Sequence, residues 1–217
     1  MLLYIIRHGE PDYANDCLTR RGKKQADALA KRFDSQGVSF DEIYSSPLVR
    51  AKQTAEPTCE NQGIDYNIEE WMSEDLCFAD FSIERVGQRD WSFAVQNTQM
   101  LDIEGAWHES RIFPRTAASG YMRVSNASDD FLTRLGYKRD GLHYKVVKPS
   151  DKRIAVFCHH GLGTTWLSHM LSIPPNIFWA SFDIAHTGLT IVQFKNTPDG
   201  RTAPQCLCLS DTAHVVP

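Results

Sequence analysis

Met1-Leu2-Leu3-Tyr4-Ile5-Ile6-Arg7-His8-Gly9-Glu10 opens the chain, and the reading of this stretch decides the fold. Leu2 to Ile6 is a short apolar run that ends at a polar, glycine-containing turn, the pattern of a buried strand. Thr19 then has the chemistry of a helix N-cap. Ala26, Leu29, Ala30 and Phe33 recur at helical spacing, and Gly37 supplies the stop. Phe40 to Tyr44 reads as a second strand broken by Ser45-Ser46-Pro47. Pro47 suits the first turn of the next helix, which sets Leu48, Ala51, Thr54 and Ala55 on one face. Ile64 to Ile68 reads as a third strand.

Arg153 to Cys158 is a strongly apolar strand that ends at His159-His160-Gly161. A helix from about Leu162 to Leu171 follows, stopped by Pro174-Pro175. Leu189 to Phe194 and Gln205 to Leu209 close the chain as strands, with Pro198-Asp199-Gly200 between them. In the middle, Ile83 to Met100 and Arg115 to Leu135 read as helices, interrupted from Gly105 to Pro114. Asp140-Gly141 is a hairpin turn signal between Tyr137-Lys138 and His143 to Val147. Strands alternating with helices predict an α/β fold: a single domain with a mostly parallel sheet flanked by helices. Residues 1–217 form that domain, and about 75–150 are an inserted, lid-like segment. Such sheets bind ligands beyond the carboxyl ends of their strands. Two of those ends carry histidines, Arg7-His8 and His159, and a third leads through Ser45-Ser46-Pro47 to Arg50.

At 217 residues the chain suits one compact domain, and 42% hydrophobic with 23% charged residues is the balance of an ordinary globular protein. The net charge of −4 argues against a general nucleic-acid binder, which shows a basic face. The six cysteines form no CxxC pair and no disulfide or zinc framework, so reduced thiols in a cytoplasmic protein are expected. The apolar opening is too short for a signal-peptide core, and no apolar run reaches bilayer length. No membrane partner is expected, and oligomeric state is open.

The order of motifs is Arg7-His8-Gly9-Glu10, Leu18-Thr19, Gly22, Gln25-Ala26, then Ser45-Ser46-Pro47-Leu48-Val49-Arg50-Ala51-Lys52-Gln53-Thr54-Ala55, and far downstream His159. In this order the set resembles the histidine phosphatase superfamily, also called the phosphoglycerate mutase-like family. The likeness is close in the N-terminal quarter and around His159 and loose in the middle. It implies a phosphoric monoester hydrolase that acts on a small-molecule phosphate ester without metal or cofactor, through a phosphohistidine. His8 is then the nucleophile, its other ring nitrogen donating to a backbone carbonyl. Arg7 and Arg50 supply forked, permanently charged donors to phosphate. Gly9 lets the backbone turn beside them.

The resemblance further implies that His159 is the second pocket histidine and that a carboxyl after the third strand protonates the leaving group. Glu74 fits that register best, with Glu69, Glu70 and Asp75 as competitors; the glycine-rich continuation usual there is absent. Asn15 and Glu10 lie in the loop after the nucleophile, where they would face substrate. His160 departs from the small residue more common after the second histidine, and is a further candidate for substrate contact. Trp107-His108-Glu109, Arg111 and Arg115 fall in the lid-like segment, and His214 reads as structural. Three alternatives stay open. One is a mutase, although Glu10-Pro11-Asp12-Tyr13-Ala14-Asn15 lacks the Glu-Ser-x-Trp-Asn continuation of phosphoglycerate mutases. Another is an inactive relative that binds a phosphorylated ligand. The third is a metal-dependent hydrolase using His159, His160 and a carboxylate such as Asp183.

Overall fold

A computed structural model describes residues 1–85, 87–92 and 97–215. Its strands are β1 Leu2–Arg7, β2 Pro11–Asp12, β3 Cys17–Leu18, β4 Glu42–Ser45, β5 Tyr66–Ile68, β6 Ser82–Arg85, β7 Gln88–Trp91, β8 Tyr137–Asp140, β9 His143–Val146, β10 Arg153–Cys158, β11 Leu189–Gln193, β12 Arg201–Thr202 and β13 Gln205–Asp211. The α-helices are α1 Arg20–Ser35, α2 Val49–Gln62, α3 Glu74–Phe81, α4 Asn97–Leu101, α5 Ala117–Arg134, α6 His160–Met170 and α7 Pro175–Ser181.

The central sheet has six strands in the order β13-β11-β1-β10-β4-β5. β1, β10, β4 and β5 run parallel; β11 pairs antiparallel with β1, and β13 pairs antiparallel with β11. Alternation along the central strands sends residues to two separate cores. Tyr4, Ile6, Ile43, Ala155 and Phe157 meet Leu29 and Phe33 of α1 and Ala55 of α2 on one face. Leu3, Ile5, Tyr44, Ile154, Val156 and Cys158 meet Phe81, Phe131, Trp166 and Leu167 on the other. Each fully buried aliphatic or phenyl side chain among them contributes roughly 1.5–3 kcal/mol. Thus the apolar runs at Leu2 and Arg153 are buried on both faces, which is why neither alternates with polar residues.

β10 lies between β1 and β4, pairing Arg7 with Cys158 and Phe157 with Ser45. This register brings His8, Ser46 and His159 to one carboxyl edge. The ladder continues into the loops: His8 N–H donates to the Cys158 carbonyl at 2.9 Å, and Ser46 N–H to that of Phe157 at 2.9 Å.

Several local expectations are corrected. Pro47 lies before the helix, whose N-cap is Leu48, and Pro57 is the proline inside α2. Pro174-Pro175 do more than end a helix: Ser172 turns the chain at φ +56°, Pro174 caps α7 and Pro175 begins it. α6 starts at His160, two residues earlier than the apolar pattern indicates. The helix expected from Ile83 to Met100 is instead the β6–β7 hairpin, pairing Ile83 with Asp90, with Gly87 at φ +77° in its turn, followed by the short α4. Residues 86 and 93–96 of that span lie outside the described residues. Between β8 and β9, Asp140 pairs with His143, with Gly141 at φ +64° in the turn.

Candidate active site

The loop from Arg7 to Thr19 is built by the polar residues of the N-terminal motifs. Gly9 N–H donates to Thr54 Oγ1 at 3.0 Å, and Thr54 in turn donates to the Arg50 carbonyl at 2.7 Å. Gln25 accepts from Glu10 N–H at 2.8 Å, and Gln53 accepts from Leu18 N–H at 2.8 Å. Thr19 caps α1 by accepting from Gly22 N–H at 3.0 Å. These motif letters hold a loop that has little apolar surface of its own.

His8 is 2% exposed, and its Nδ1 lies 2.7 Å from the Gly9 carbonyl. A carbonyl only accepts, so Nδ1 carries the proton and Nε2 keeps its lone pair. Burial pulls the His8 pKa down to about 3; the Gly9 carbonyl opposes this, and Arg7, Arg50 and His186 reinforce it. His8 is therefore a neutral imidazole with a free nitrogen at neutral pH.

Arg7 donates from Nη1 to the Ile184 carbonyl at 2.8 Å and from Nη2 to His186 Nε2 at 2.9 Å. Arg50, on the buried face of α2, donates from Nη1 to Asp16, and its guanidinium lies 5.5 Å from the Tyr13 ring. Arg7 Nε and Arg50 Nε are buried without a hydrogen-bond partner among the described residues, and so is His159 Nδ1. Native interiors pair such groups, and these three are left with hydrogen-bonding capacity to spare. His159 is fully buried beside His8, with ring centroids 5.1 Å apart, and its Nε2 lies 2.7 Å from Ser46 Oγ. Burial, followed by the charges of His8, Arg50 and Arg7, holds its pKa well below the ordinary value.

Glu74 is the first residue of α3 and spans the first turn of α6. It accepts from Gly161 N–H at 2.7 Å and from Leu162 N–H at 2.9 Å. These bonds, and the nearby Arg50 and Arg7, favour the ionised carboxylate, but burial outweighs them and raises its pKa. Gly161 is required here, because a Cβ would come within 2.6 Å of the Trp91 ring and 3.1 Å of Glu74 Oε1.

Arg7, His8, Arg50, Glu74 and His160 line one cleft of about 1040 Å³. His159 sits behind it. Asn15 does not line it: this exposed residue donates to Asp12 at 2.8 Å, and its neighbours Tyr13 and Asp16 reach the cleft instead. Glu10 is tied to Thr19 and Arg21, and Glu69 to Trp71 and Arg134. Of the competing carboxylates, Asp75 lines the cleft. His160 Nε2 pairs with Asp183 at 2.7 Å while His159 turns to Ser46, so the three do not converge as metal ligands. Among the described residues no group of three or more His, Cys, Asp or Glu is placed to hold an ion. Trp107 packs into a ring cluster with Phe113, Tyr121 and Trp179, and Arg111 and Arg115 are exposed. His214 is buried against Thr187 at 3.0 Å.

Sequence reasoning missed His186 and Asp16. His186 precedes β11, and because β11 runs antiparallel to β1, its leading loop opens at the same edge as His8. Their rings are 5.7 Å apart. Burial and then Arg7 bring the His186 pKa down to about 4, so it stays a neutral acceptor for Arg7. Asp16 stands at φ +43° in the β2–β3 turn, and nothing in its neighbouring letters links it to Arg50.

A buried neutral imidazole with two arginines beside it thus stands at the carboxyl edge of this sheet. The family model of the histidine phosphatase superfamily (branch 1) matches residues 3–99. Over that stretch, a little under half of its length, the chain is similar to that superfamily. An uncharacterized protein of Picosynechococcus sp. is 43% identical over 63 residues, 26% of this chain and 38% of that protein. Fructose-2,6-bisphosphatase TIGAR of Xenopus tropicalis is 42% identical over 76 residues, 30% of this chain and 27% of that protein. The matched stretch thus spans well under half the length of either relative. Solved structures match along the whole chain. A phosphoserine phosphatase mutant from Entamoeba histolytica, in complex with phosphoserine, superimposes with a TM-score of 0.66 at 22% identity, covering 99% of both chains. A mycobacterial glucosyl-3-phosphoglycerate phosphatase gives 0.65 at 17% identity, covering 98% of this chain and 99% of that one. At these identities the likeness is one of fold.

Proposed function

We propose that this chain is a metal-independent phosphatase that hydrolyses a small phosphate monoester through a phosphohistidine on His8. The observation that carries the reading is the His8 imidazole, fixed at Nδ1 by the Gly9 carbonyl and left free at Nε2, beside Arg7 and Arg50. A phosphate ester repels nucleophiles by its own charge, so positioned cations are the main requirement for attack. In the first step the His8 Nε2 lone pair forms the N–P bond and the ester P–O bond breaks. Arg7 Nε, Arg50 Nε and His159 Nδ1 donate to the phosphoryl oxygens. Glu74, kept protonated by burial and by the incoming dianion, gives its proton to the leaving alkoxide. In the second step water forms a new O–P bond and loses a proton to the Glu74 carboxylate. The N–P electrons return to His8, and inorganic phosphate leaves.

Residues 1–217 act as one domain, with α3, the β6–β7 hairpin and the end of α7 as the roof over the phosphate subsite. Six free thiols suit a reducing, cytoplasmic setting. Among the described residues no helix is long and apolar enough to cross a membrane.

The test is phosphate release from a panel of monoesters in excess chelator, comparing wild type with His8→Ala. Release that survives chelator and disappears in the variant is expected, with an acid-labile phosphoprotein trapped during turnover. Loss of wild-type release in chelator, or full turnover by His8→Ala, overturns the mechanism.

A further inference from the structure

We infer that the alcohol portion of the substrate carries an aromatic group, and that the rim of the cleft rejects esters bearing a second anionic group. This rests on the phosphatase reading above. A cleft of about 1040 Å³ is much larger than one phosphate, so most of it receives the leaving group. The cations that line it are concentrated at the phosphate subsite: Arg50 is 6% exposed, with its Nε buried and unpaired among the described residues, and Arg7 is half-buried.

The outer wall differs in both shape and charge. Tyr13, Phe78, Trp91 and Phe182 line it, and two of these rings stand well out in solvent, Tyr13 at 68% and Phe182 at 38% exposure. Phe78 and Trp91 meet edge to face at 5.1 Å, while Phe182 leans on Phe178 at 4.7 Å. Aromatic rings held in place around an open cleft match a flat partner by offset or edge-to-face contact. Between them stand the exposed carboxylates Asp75, Asp90 and Asp183. Asp183 is occupied by His160, and Asp90 by the Trp91 N–H at 2.7 Å, yet each remains a surface anion. A carboxylate or second phosphate on the leaving group would meet three carboxylates there against one cation, Arg89, which lies 5.7 Å from the Phe78 ring, with Arg7 and Arg50 committed to the first phosphate. The second anion carried by phosphoserine, and by the bisphosphate named for one relative, is therefore a poor match to this rim.

The test uses three alkyl phosphates, so that leaving-group chemistry is similar: 2-phenylethyl phosphate, glycerol 2-phosphate and 3-phosphoglycerate. We expect kcat/KM for 2-phenylethyl phosphate to exceed that for glycerol 2-phosphate by about tenfold. For 3-phosphoglycerate it should fall at least about tenfold below glycerol 2-phosphate, with the gap narrowing in high salt. Phe182→Ala should reduce the first ratio, and the Asp75→Asn, Asp90→Asn double variant should raise the ratio of 3-phosphoglycerate to glycerol 2-phosphate. Ratios are read, so a general loss of activity in a variant does not mimic either result. Equal rates on all three esters, or preference for 3-phosphoglycerate, overturn this inference and leave the phosphatase reading intact. Hydrolysis of none of the three overturns this inference, and release from no ester of the wider panel removes the phosphatase reading as well.

Discussion

Arg50 donates from Nη1 to Asp16, and the same carboxylate accepts from Val49 N–H at 3.2 Å, so a turn residue of the first loop clasps the start of α2. The clasp fixes the guanidinium, but it also sets a negative charge beside the proposed phosphate subsite. Asp16→Asn keeps an acceptor at that place and suits the φ of +43°. Inorganic phosphate should then inhibit about three- to tenfold more tightly, because the like charge is gone. The Asp16 side chain is 39% exposed, so stability should change by less than about 1 kcal/mol. Competitive inhibition by phosphate or vanadate measures this. An unchanged inhibition constant would mean that Asp16 swings clear when the anion arrives.

Glu74 caps α6 and, in the proposed mechanism, gives up a proton, and a substitution separates the two. Glu74→Gln retains an acceptor for one of the Gly161 and Leu162 amides but turns a donor toward the other, which costs about 1–3 kcal/mol of stability. On alkyl phosphates kcat should fall by about 10²–10⁴. On 4-nitrophenyl phosphate, whose leaving group needs no proton, kcat/KM, which reports the first step, should fall little, while kcat falls because Glu74 also takes the proton from water in the second step. In wild type the alkyl rate should decline as pH rises through the raised Glu74 pKa, and that limb should vanish in the variant. Equal losses of kcat/KM on both ester types would assign the leaving-group proton elsewhere, with Asp75 next in line.

Much of this was legible in the sequence, for a physical reason. β1 and β10 are buried on both faces, so each is a continuous apolar run whose end can be read directly, and those ends carry His8 and His159. Thr19, Gln25, Gln53 and Thr54 could be found as motif letters because their partners are backbone groups of one short loop. The β6–β7 hairpin could not. Its strands are two-sided and largely exposed, so neither helical nor alternating apolar spacing marks them. His186 and Asp16 were hidden differently: each meets an arginine more than thirty residues away, through a turn or an antiparallel return, and no local spacing encodes that contact.

The buried histidines also make stability depend on pH. His8 has a pKa of about 3 in the fold and an ordinary value of 6.5. His186 and His214 are lowered to about 4, and His159 is lowered as well. Below pH 6.5 the unfolded chain takes up protons that the folded chain refuses. Stability is therefore full above that value and is lost as pH falls toward the folded pKa values. His8 alone should cost about 2 kcal/mol at pH 5. Urea denaturation at pH 7, 6 and 5 should show a falling midpoint, with a shallower slope in His214→Gln. A midpoint constant from pH 7 to 5 would contradict neutral burial of these rings.

Gly9 and Gly22 face one another across the first loop and the start of α1. A Cβ at Gly22 would lie 2.2 Å from the Glu10 carbonyl oxygen, and one at Gly9 would lie 2.7 Å from that of Gly22. Both obstacles are backbone, so no side chain can swing aside. Gly22→Ala must push α1 away from the loop, straining the bonds that Glu10 accepts from the Thr19 hydroxyl and donates to Gln25, and through Glu10 displacing His8. The expected stability cost is about 1–3 kcal/mol. With His8 as the proposed nucleophile, a displacement of even about 1 Å there should lower kcat/KM by roughly a hundredfold. Gly37→Ala at the other end of α1 is the comparison. Its φ of +62° penalises a side chain by about 1–2 kcal/mol, while a Cβ there meets nothing within 4 Å. Both variants should lose similar amounts of Tm, and only Gly22→Ala should lose turnover. If the two kept equal activity, the contact between Gly9 and Gly22 would be a matter of stability alone, and the loop would hold His8 in place without it.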